Sequence, residues 1–465
     1  MNHISELKKT NIISSFEITG LYGKKTLSMS FGGSAKILVA DNGAGKTTML
    51  NALYALLSGN IAKLVSIPFH AVAITFENSP KIEIKYNELP DPYGWLKTPH
   101  AYLSELKVSL SDEELHEFAA AIDAAPEENF WEYIPPQLRD KLAVFPSGAY
   151  RAYSMLQELK KAYKPDPLSE SLIEKMAEIK RRFPLKFIYL PTYRRVEEDL
   201  RSLGLANGEN TARSRRNRVD AERHIFFGMN DVRQRFDSVT NKIKLTTAET
   251  FRAMAFRMID ELLEGRGIEH SISTSNDFFR AGHFDLILKR LKKELSPQRR
   301  TQIKKIISEG VSASEENKVL LYLLSNLSVI SEQQAKKDKQ IQKFCEVAKN
   351  YLVGKAITYN EVDLTLDIFR EGEEKPLSLD RLSSGEKQLV SILSRLYLAD
   401  GSDYALFIDE PELSLSIDWQ KTFLPDLINS GSCKFLLAAT HSPFIFANAL
   451  DRLAAPIVVK KWSGE

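Results

Sequence analysis

Along this chain the spacing of apolar positions switches between two periods, and the switches predict its elements. Ser14 to Leu21 alternates at period two, as a strand with one buried face does, and Ala35-Lys-Ile-Leu-Val-Ala is a short apolar run of buried-strand type. A glycine-rich turn follows. From Thr47 to Leu57, Met49, Leu50, Leu53, Leu56 and Leu57 recur at helical spacing. Ala71-Val-Ala-Ile-Thr-Phe and Lys81-Ile-Glu-Ile-Lys-Tyr predict a strand pair joined at Asn78-Ser-Pro. The pattern then turns helical from Pro90 to Phe183, with Ser111 as an N-cap and helices over Tyr150–Tyr163 and Leu168–Arg182. Lys186-Phe-Ile-Tyr-Leu returns to strand.

Residues 196 to 360 again read as mostly helical, rich in Arg, Lys and Glu, with Lys318 to Leu352 as one long helix. No heptad pattern is sustained, so a long coiled coil is not expected. Strands come back in Asp363–Phe369, Tyr404–Ile408, Cys433–Ala439 and Ala455–Val459. The reading is an α/β head split in sequence, with two mainly helical insertions. Its divisions fall at 1–95 for the N-terminal lobe, 96–185 for the first insertion, 186–195 for a head strand, 196–360 for the second insertion and 361–465 for the C-terminal lobe.

Composition narrows the field. A formal charge of +2 over 465 residues rules out polybasic binding of nucleic acid, so any such contact needs a local patch. With 43% hydrophobic and 27% charged residues the chain is of ordinary globular type. Two cysteines, Cys345 and Cys433, are too few for a disulfide framework. The N-terminus lacks the apolar core of a secretory signal, and the most apolar stretch, Val319–Ile330, is too short to cross a bilayer. A cytoplasmic protein without membrane contact is expected.

The chemistry gathers at four places. Ala40-Asp-Asn-Gly-Ala-Gly-Lys-Thr-Thr48 fits a phosphate loop after its first position, where Ala40 replaces the usual glycine. Gly43 and Gly45 let backbone N–H groups converge on phosphate oxygens, Lys46 reaches the β- and γ-phosphates, and the Thr47 hydroxyl ligates Mg²⁺. Tyr404-Ala-Leu-Phe-Ile-Asp-Glu puts Asp409 where a metal ligand is needed and Glu410 where a base for water is needed. Leu382-Ser-Ser-Gly-Glu presents hydroxyls and a helix N-terminus, although alone it is simply a good helix start. Thr440-His-Ser-Pro sets His441 at a strand end. Either acidic residue could equally be a helix cap, and the histidine structural, were they not in this order.

Together these segments resemble ABC-type ATPase heads of the RecF/SMC/OLD kind. Ile188-Tyr-Leu-Pro-Thr-Tyr-Arg-Arg also resembles the stand-alone prokaryotic ATPases of anti-phage defence operons, such as those of Septu and PARIS. The resemblance implies ATP and Mg²⁺ as ligands. Asn42, Gly43, Ala44, Gly45, Lys46, Thr47 and Thr48 would hold the nucleotide on one side. Ser383, Ser384, Gly385 and Glu386 of a partner head would hold it on the other. It further implies Thr47 and Asp409 at the metal, Glu410, Lys46 and His441 as catalytic residues, and Ser414–Trp419 at the interface of a head-to-head dimer. No clear Q-loop glutamine is found, and Arg194 and Thr192, just past the strand that ends at Leu190, are the residues to look at instead.

Because only 24 residues follow His441, a fused nuclease is not expected and the effector, a nuclease by resemblance, is expected on another chain. A phage protein or nucleic acid is the implied trigger. Two basic clusters could touch nucleic acid, Arg213–Arg223 and Lys289–Arg300, but each also reads as solvated surface charge. A RecF-like repair ATPase acting directly on DNA is the alternative, and a transporter ATPase the weakest reading.

Overall fold

The computed structural model describes residues 13–91 except Asn42, 93–111, 148–162, 168–191, 229–263, 296–309, 335–399, 401–413 and 415–464, with scattered positions from 114 to 141. Asn42, Thr192, Arg194, Ser414, the cluster from Arg213 to Arg223, Lys289–Lys293 and the start of the Lys318–Leu352 helix lie outside the described residues.

Two sheets share one helix. Strands β1 (Ile13–Leu21), β2 (Lys25–Ser30) and β3 (Ala35–Val39) precede helix α1 (Lys46–Ser58). Then come β4 (Ala71–Phe76), β5 (Ile82–Lys85), α2 (Glu170–Arg182), β6 (Lys186–Leu190) and the long α3 (Met229–Leu263). A hairpin of β7 (Lys355–Asn360) and β8 (Thr365–Arg370) leads to α4 (Ser384–Tyr397), β9 (Tyr404–Asp409), α5 (Ile417–Ile428) and β10 (Cys433–Thr440). The chain ends in β11 (Ala454–Pro456) and β12 (Val458–Lys461).

The central sheet is parallel throughout, in the order β11-β3-β10-β9-β6, and the second is antiparallel, in the order β12-β2-β1-β4-β5. Thus β3 pairs with strands that lie hundreds of residues downstream, as a head split in sequence requires. A parallel sheet covered on both faces must be apolar on both. Along β9, Leu406 and Ile408 face one core, while Ala405 and Phe407 face the other. Along β10, Leu436 and Ala438 alternate in the same way with Phe435, Leu437 and Ala439.

Sandwiched between the sheets, α1 is apolar almost all round, with Met49, Leu50, Leu53 and Leu56 at most 1% exposed. It stops at Gly59, whose φ of +72° lets its N–H turn back to the carbonyls of Ala55 and Leu56. On the far face of the central sheet, α3, α4, α5 and the helical residues 335–349 build the second core. The first insertion has a core of its own around Trp95, Leu106, Phe118 and Leu156.

The structure differs from the sequence expectation at two strands and one terminus. Neither β2 nor β7 is anticipated, and β7 lies inside the stretch read as helical. The expected strand over Ala455–Val459 is two strands. Beside Pro456 the chain leaves the parallel sheet for the edge of the antiparallel one, which stitches the two sheets together. No helix among the described residues is long and apolar enough to cross a membrane.

Candidate nucleotide site

Three neighbouring strands end at one edge of the central sheet, and the turns that follow them form the site. In register, Val39 lies opposite Thr440, and Ala439 opposite Asp409. The loop after β3, the acidic turn after β9 and the histidine turn after β10 are therefore forced together. This is the carboxyl edge where open α/β sheets place ligands.

The loop after β3 bends through Gly43 at φ +78° and Gly45 at φ +98°, conformations an L-residue rarely holds. At Gly45 a Cβ would also stand 2.7 Å from the Leu27 Cδ1 methyl, so β2 packs where any side chain would clash. Lys46 opens α1 and is only 6% exposed. Its ammonium donates to the carbonyl oxygens of Ala40 and Asp41, the latter at 3.2 Å, and to His441 Nε2 at 2.6 Å. Burial pushes its pKa below the ordinary lysine value, while Glu410, Asp409, Glu412 and Asp41 pull the other way.

Thr47, the next residue, donates from Oγ1 to Asp409 Oδ1 at 3.1 Å. Asp409 is the last residue of β9 and is buried. A hydroxyl and a carboxylate in contact are hard oxygen donors, the set that suits Mg²⁺ held by few protein ligands. Among the described residues no group of three or more His, Cys, Asp or Glu could hold a metal. Glu410 follows at φ +50°, a left-handed backbone on a non-glycine residue. Its N–H is held by the Ala439 carbonyl at 2.8 Å, which fixes the acidic turn to β10.

Lys46, Thr47, Asp409 and His441 thus meet directly, and Glu410 adjoins them. Gly43, Ala44 and Thr48 are in the loop and first turn of α1. The signature segment is arranged differently. Ser383 caps α4 by accepting the Glu386 N–H at 3.3 Å, and Glu386 returns a bond to the Ser383 N–H at 2.8 Å. Glu386 is 3% exposed, and its carboxylate takes bonds from Lys355 Nζ at 2.7 and 2.9 Å. Burial works against that charge, but the bonds from Lys355 and Ser383 outweigh it and hold the pKa below the usual carboxylate range. Ser383 and Ser384 are exposed. Gly385 and Gln388 line a crevice together with Asp409 and Glu410 of the same chain.

Sequence reasoning passed over two residues. Lys25 of β2 reaches the Gly43 carbonyl at 3.3 Å, a contact no motif spacing reveals. Glu412, two residues beyond Glu410, accepts from the Thr440 hydroxyl at 2.7 Å and the His441 N–H at 2.8 Å. Its signal was present, since a third carboxylate in Asp409-Glu-Pro-Glu412 has no place in a plain strand end.

The family model described as "AAA domain, putative AbiEii toxin, Type IV TA system" matches residues 196–447, just over half the chain. The chain belongs to this family. With the phosphate-loop geometry upstream of that match, it has the α/β fold of a P-loop ATPase. No curated protein matches it. Among solved structures it is similar, at 12% identity and a TM-score of 0.36 over 97% of both chains, to a Pyrococcus furiosus Smc head domain with an extended coiled coil, bound to the C-terminal domain of ScpA. An SmcHead bound to the C-winged helix domain of ScpA aligns over 35% of this chain and 50% of that one, at 12% identity and a TM-score of 0.19. Likeness at this level bears on neither substrate nor partner.

Proposed function

We propose that this AAA-family chain binds and hydrolyses ATP, and that it does so to control a separate effector. The observation that carries the first part is the Thr47–Asp409 contact beside Lys46 and His441. It unites the two oxygen donors for Mg²⁺ with a cation for the phosphates, from three segments far apart in sequence. The loop from Asn42 to Thr48 would cradle the phosphates with its N–H groups and the N-terminus of α1. Bound Mg²⁺ supplies neutralisation of β- and γ-phosphate charge.

The protein's own groups would then divide the work. Lys46 can turn from the Ala40 and Asp41 carbonyl oxygens to phosphate oxygens at little cost, because those carbonyls are replaced by stronger charged acceptors. Glu410 is the base that takes a proton from water, and its fixed backbone aims the carboxylate. His441, reached from the Lys46 side, reads the terminal phosphate.

Assembly follows the resemblance. A head-to-head dimer would bring Ser383 and Ser384 of a partner to each nucleotide, and their exposure leaves them available. The family's description names a toxin–antitoxin system, which favours a defence role over direct DNA repair; a nuclease effector on another chain follows from the resemblance alone.

The test is Glu410→Gln, which keeps the side chain's size and removes its basicity. ATP binding should survive and phosphate release should fall about 10²–10⁴-fold. Near-normal turnover would make Glu410 a cap and send the search for the base elsewhere.

A further inference from the structure

We infer that Glu412 is a positioning residue that clasps the His441 turn to the Glu410 turn, so the two move as one unit. The inference rests on the ATPase reading for its consequences, not for its geometry. Oε2 of Glu412 accepts from Thr440 Oγ1 at 2.7 Å, and Oε1 accepts the N–H groups of His441 at 2.8 Å and Ser442 at 3.2 Å. Three donors from three consecutive residues therefore converge on one carboxylate.

Two further ties close the clasp. The Ser442 hydroxyl donates to Gln420 Oε1 at 2.6 Å, and Gln420 Nε2 donates to the Leu415 carbonyl at 3.0 Å, within the loop that continues the acidic turn. From the other end, Glu410 N–H bonds the Ala439 carbonyl at 2.8 Å, and Leu413 N–H bonds the Glu410 carbonyl at 3.1 Å. Every residue from Ala439 to Ser442 is thus bonded to the segment between Glu410 and Gln420. At its far side His441 touches Lys46.

A carboxylate suits the site, because its two oxygens accept all three bonds at once. A glutamine would turn an NH₂ toward one of the donors, and an alanine would leave two backbone N–H groups without this acceptor. With the clasp intact, a contact made by His441 fixes the turn that carries Glu410. Without it, the histidine backbone can shift while the phosphate loop, Thr47 and Asp409 stay in place.

The experiment compares Glu412→Ala, Glu412→Gln, His441→Ala and the Ala/Ala double variant in the full-length chain, with Mg·ATP as probe. Glu412→Ala should lower kcat about 10–100-fold, as a displacement near 1 Å does, with KM little changed and Glu412→Gln intermediate. In the His441→Ala background the same substitution should cost less than about threefold in kcat, because coupled positions are not additive. Equal kcat losses in both backgrounds would mean that Glu412 only supports the fold.

A second readout does not depend on turnover. Amide hydrogen exchange in a peptide spanning residues 436–446 should quicken at His441 and Ser442 in both Glu412 variants, and unchanged exchange overturns the clasp. If the wild type hydrolyses no ATP and resembles Glu410→Gln, the ATPase reading falls while the exchange arm still decides this one.

Discussion

The backbone at Glu410 offers a prediction in which stability and activity part company. The residue sits at φ +50°, where an L-residue pays about 1–2 kcal/mol for the clash of its Cβ with the following carbonyl. Glycine escapes that cost but gives up about 0.4–1 kcal/mol through the freedom it adds to the unfolded chain. Glu410→Gly and Glu410→Ala remove the same carboxylate and keep the same backbone bonds to Ala439 and Leu413. Their difference is therefore the strain less that entropy, and glycine should be the more stable by about 1 kcal/mol. For a melting unit of about 150–250 residues that is about 2–4 °C in Tm, read by differential scanning calorimetry on the nucleotide-free chain. Both variants should lose phosphate release as Glu410→Gln does. An alanine variant more stable than the glycine one by about 0.4–1 kcal/mol would mean that no left-handed strain is held at the acidic turn, and the aiming of Glu410 would need another cause.

Lys46→Ala should weaken ATP binding by about tenfold or more, the loss of bonds between a cation and phosphate oxygens, as isothermal titration would read. Ser384→Arg should leave binding intact and stop hydrolysis. Mixed in equal amounts with Lys46→Ala, it should regain about a quarter of wild-type activity, since half the twofold dimers then hold one intact site; no recovery despite mixed dimers would remove the shared-site reading. Lys355→Met should destabilise the head by about 3–5 kcal/mol at neutral pH, because Glu386 is left charged and buried. The bonded Glu386 has a lowered pKa, so its contribution is full above the unfolded carboxylate value of about 4.3 and is lost as pH falls through the folded one. The gap in Tm between wild type and Lys355→Met should therefore hold from pH 7 to about pH 5 and narrow as pH falls below about 4.3.

How much of this was legible in the sequence depends on whether the signal was local. The strands β3, β9 and β10 are continuous apolar runs because both faces are buried, and such runs stand out. The loop, the acidic pair and the histidine carry their own spacing, so Lys46, Thr47, Asp409, Glu410 and His441 could be named in advance. The strand β2 was hidden because Lys25-Thr-Leu-Ser-Met-Ser has only two buried positions, Leu27 and Met29, between polar ones. The strand β7 was hidden because its Lys355 reads as part of a basic helical stretch until Glu386, 31 residues away, is seen to pair with it. Long-range partners of this kind leave no period behind. The division at Pro456 is likewise a tertiary matter, since both halves are β-type and only the sheets decide which edge each joins.

Burial of a charge does not by itself mark a functional residue here, and the comparison of Glu386 with Lys46 shows what does. Both are nearly inaccessible, and both belong to segments singled out for nucleotide binding. Glu386 meets an ammonium, its own cap residue and the Val353 N–H, so its charge is answered by the fold and its bonds point inward. The bonds of Lys46 go to two neutral carbonyl oxygens and an imidazole, and its pKa is lowered in spite of four carboxylates in its surroundings. A cation whose bonds go mainly to carbonyl oxygens gains most from a multiply charged anion. The same reasoning moves Glu386 from the ligand's side of the signature loop to the scaffold's. It leaves the exposed Ser383 and Ser384 hydroxyls and the Gly385 backbone as the groups through which a partner head could add to the site.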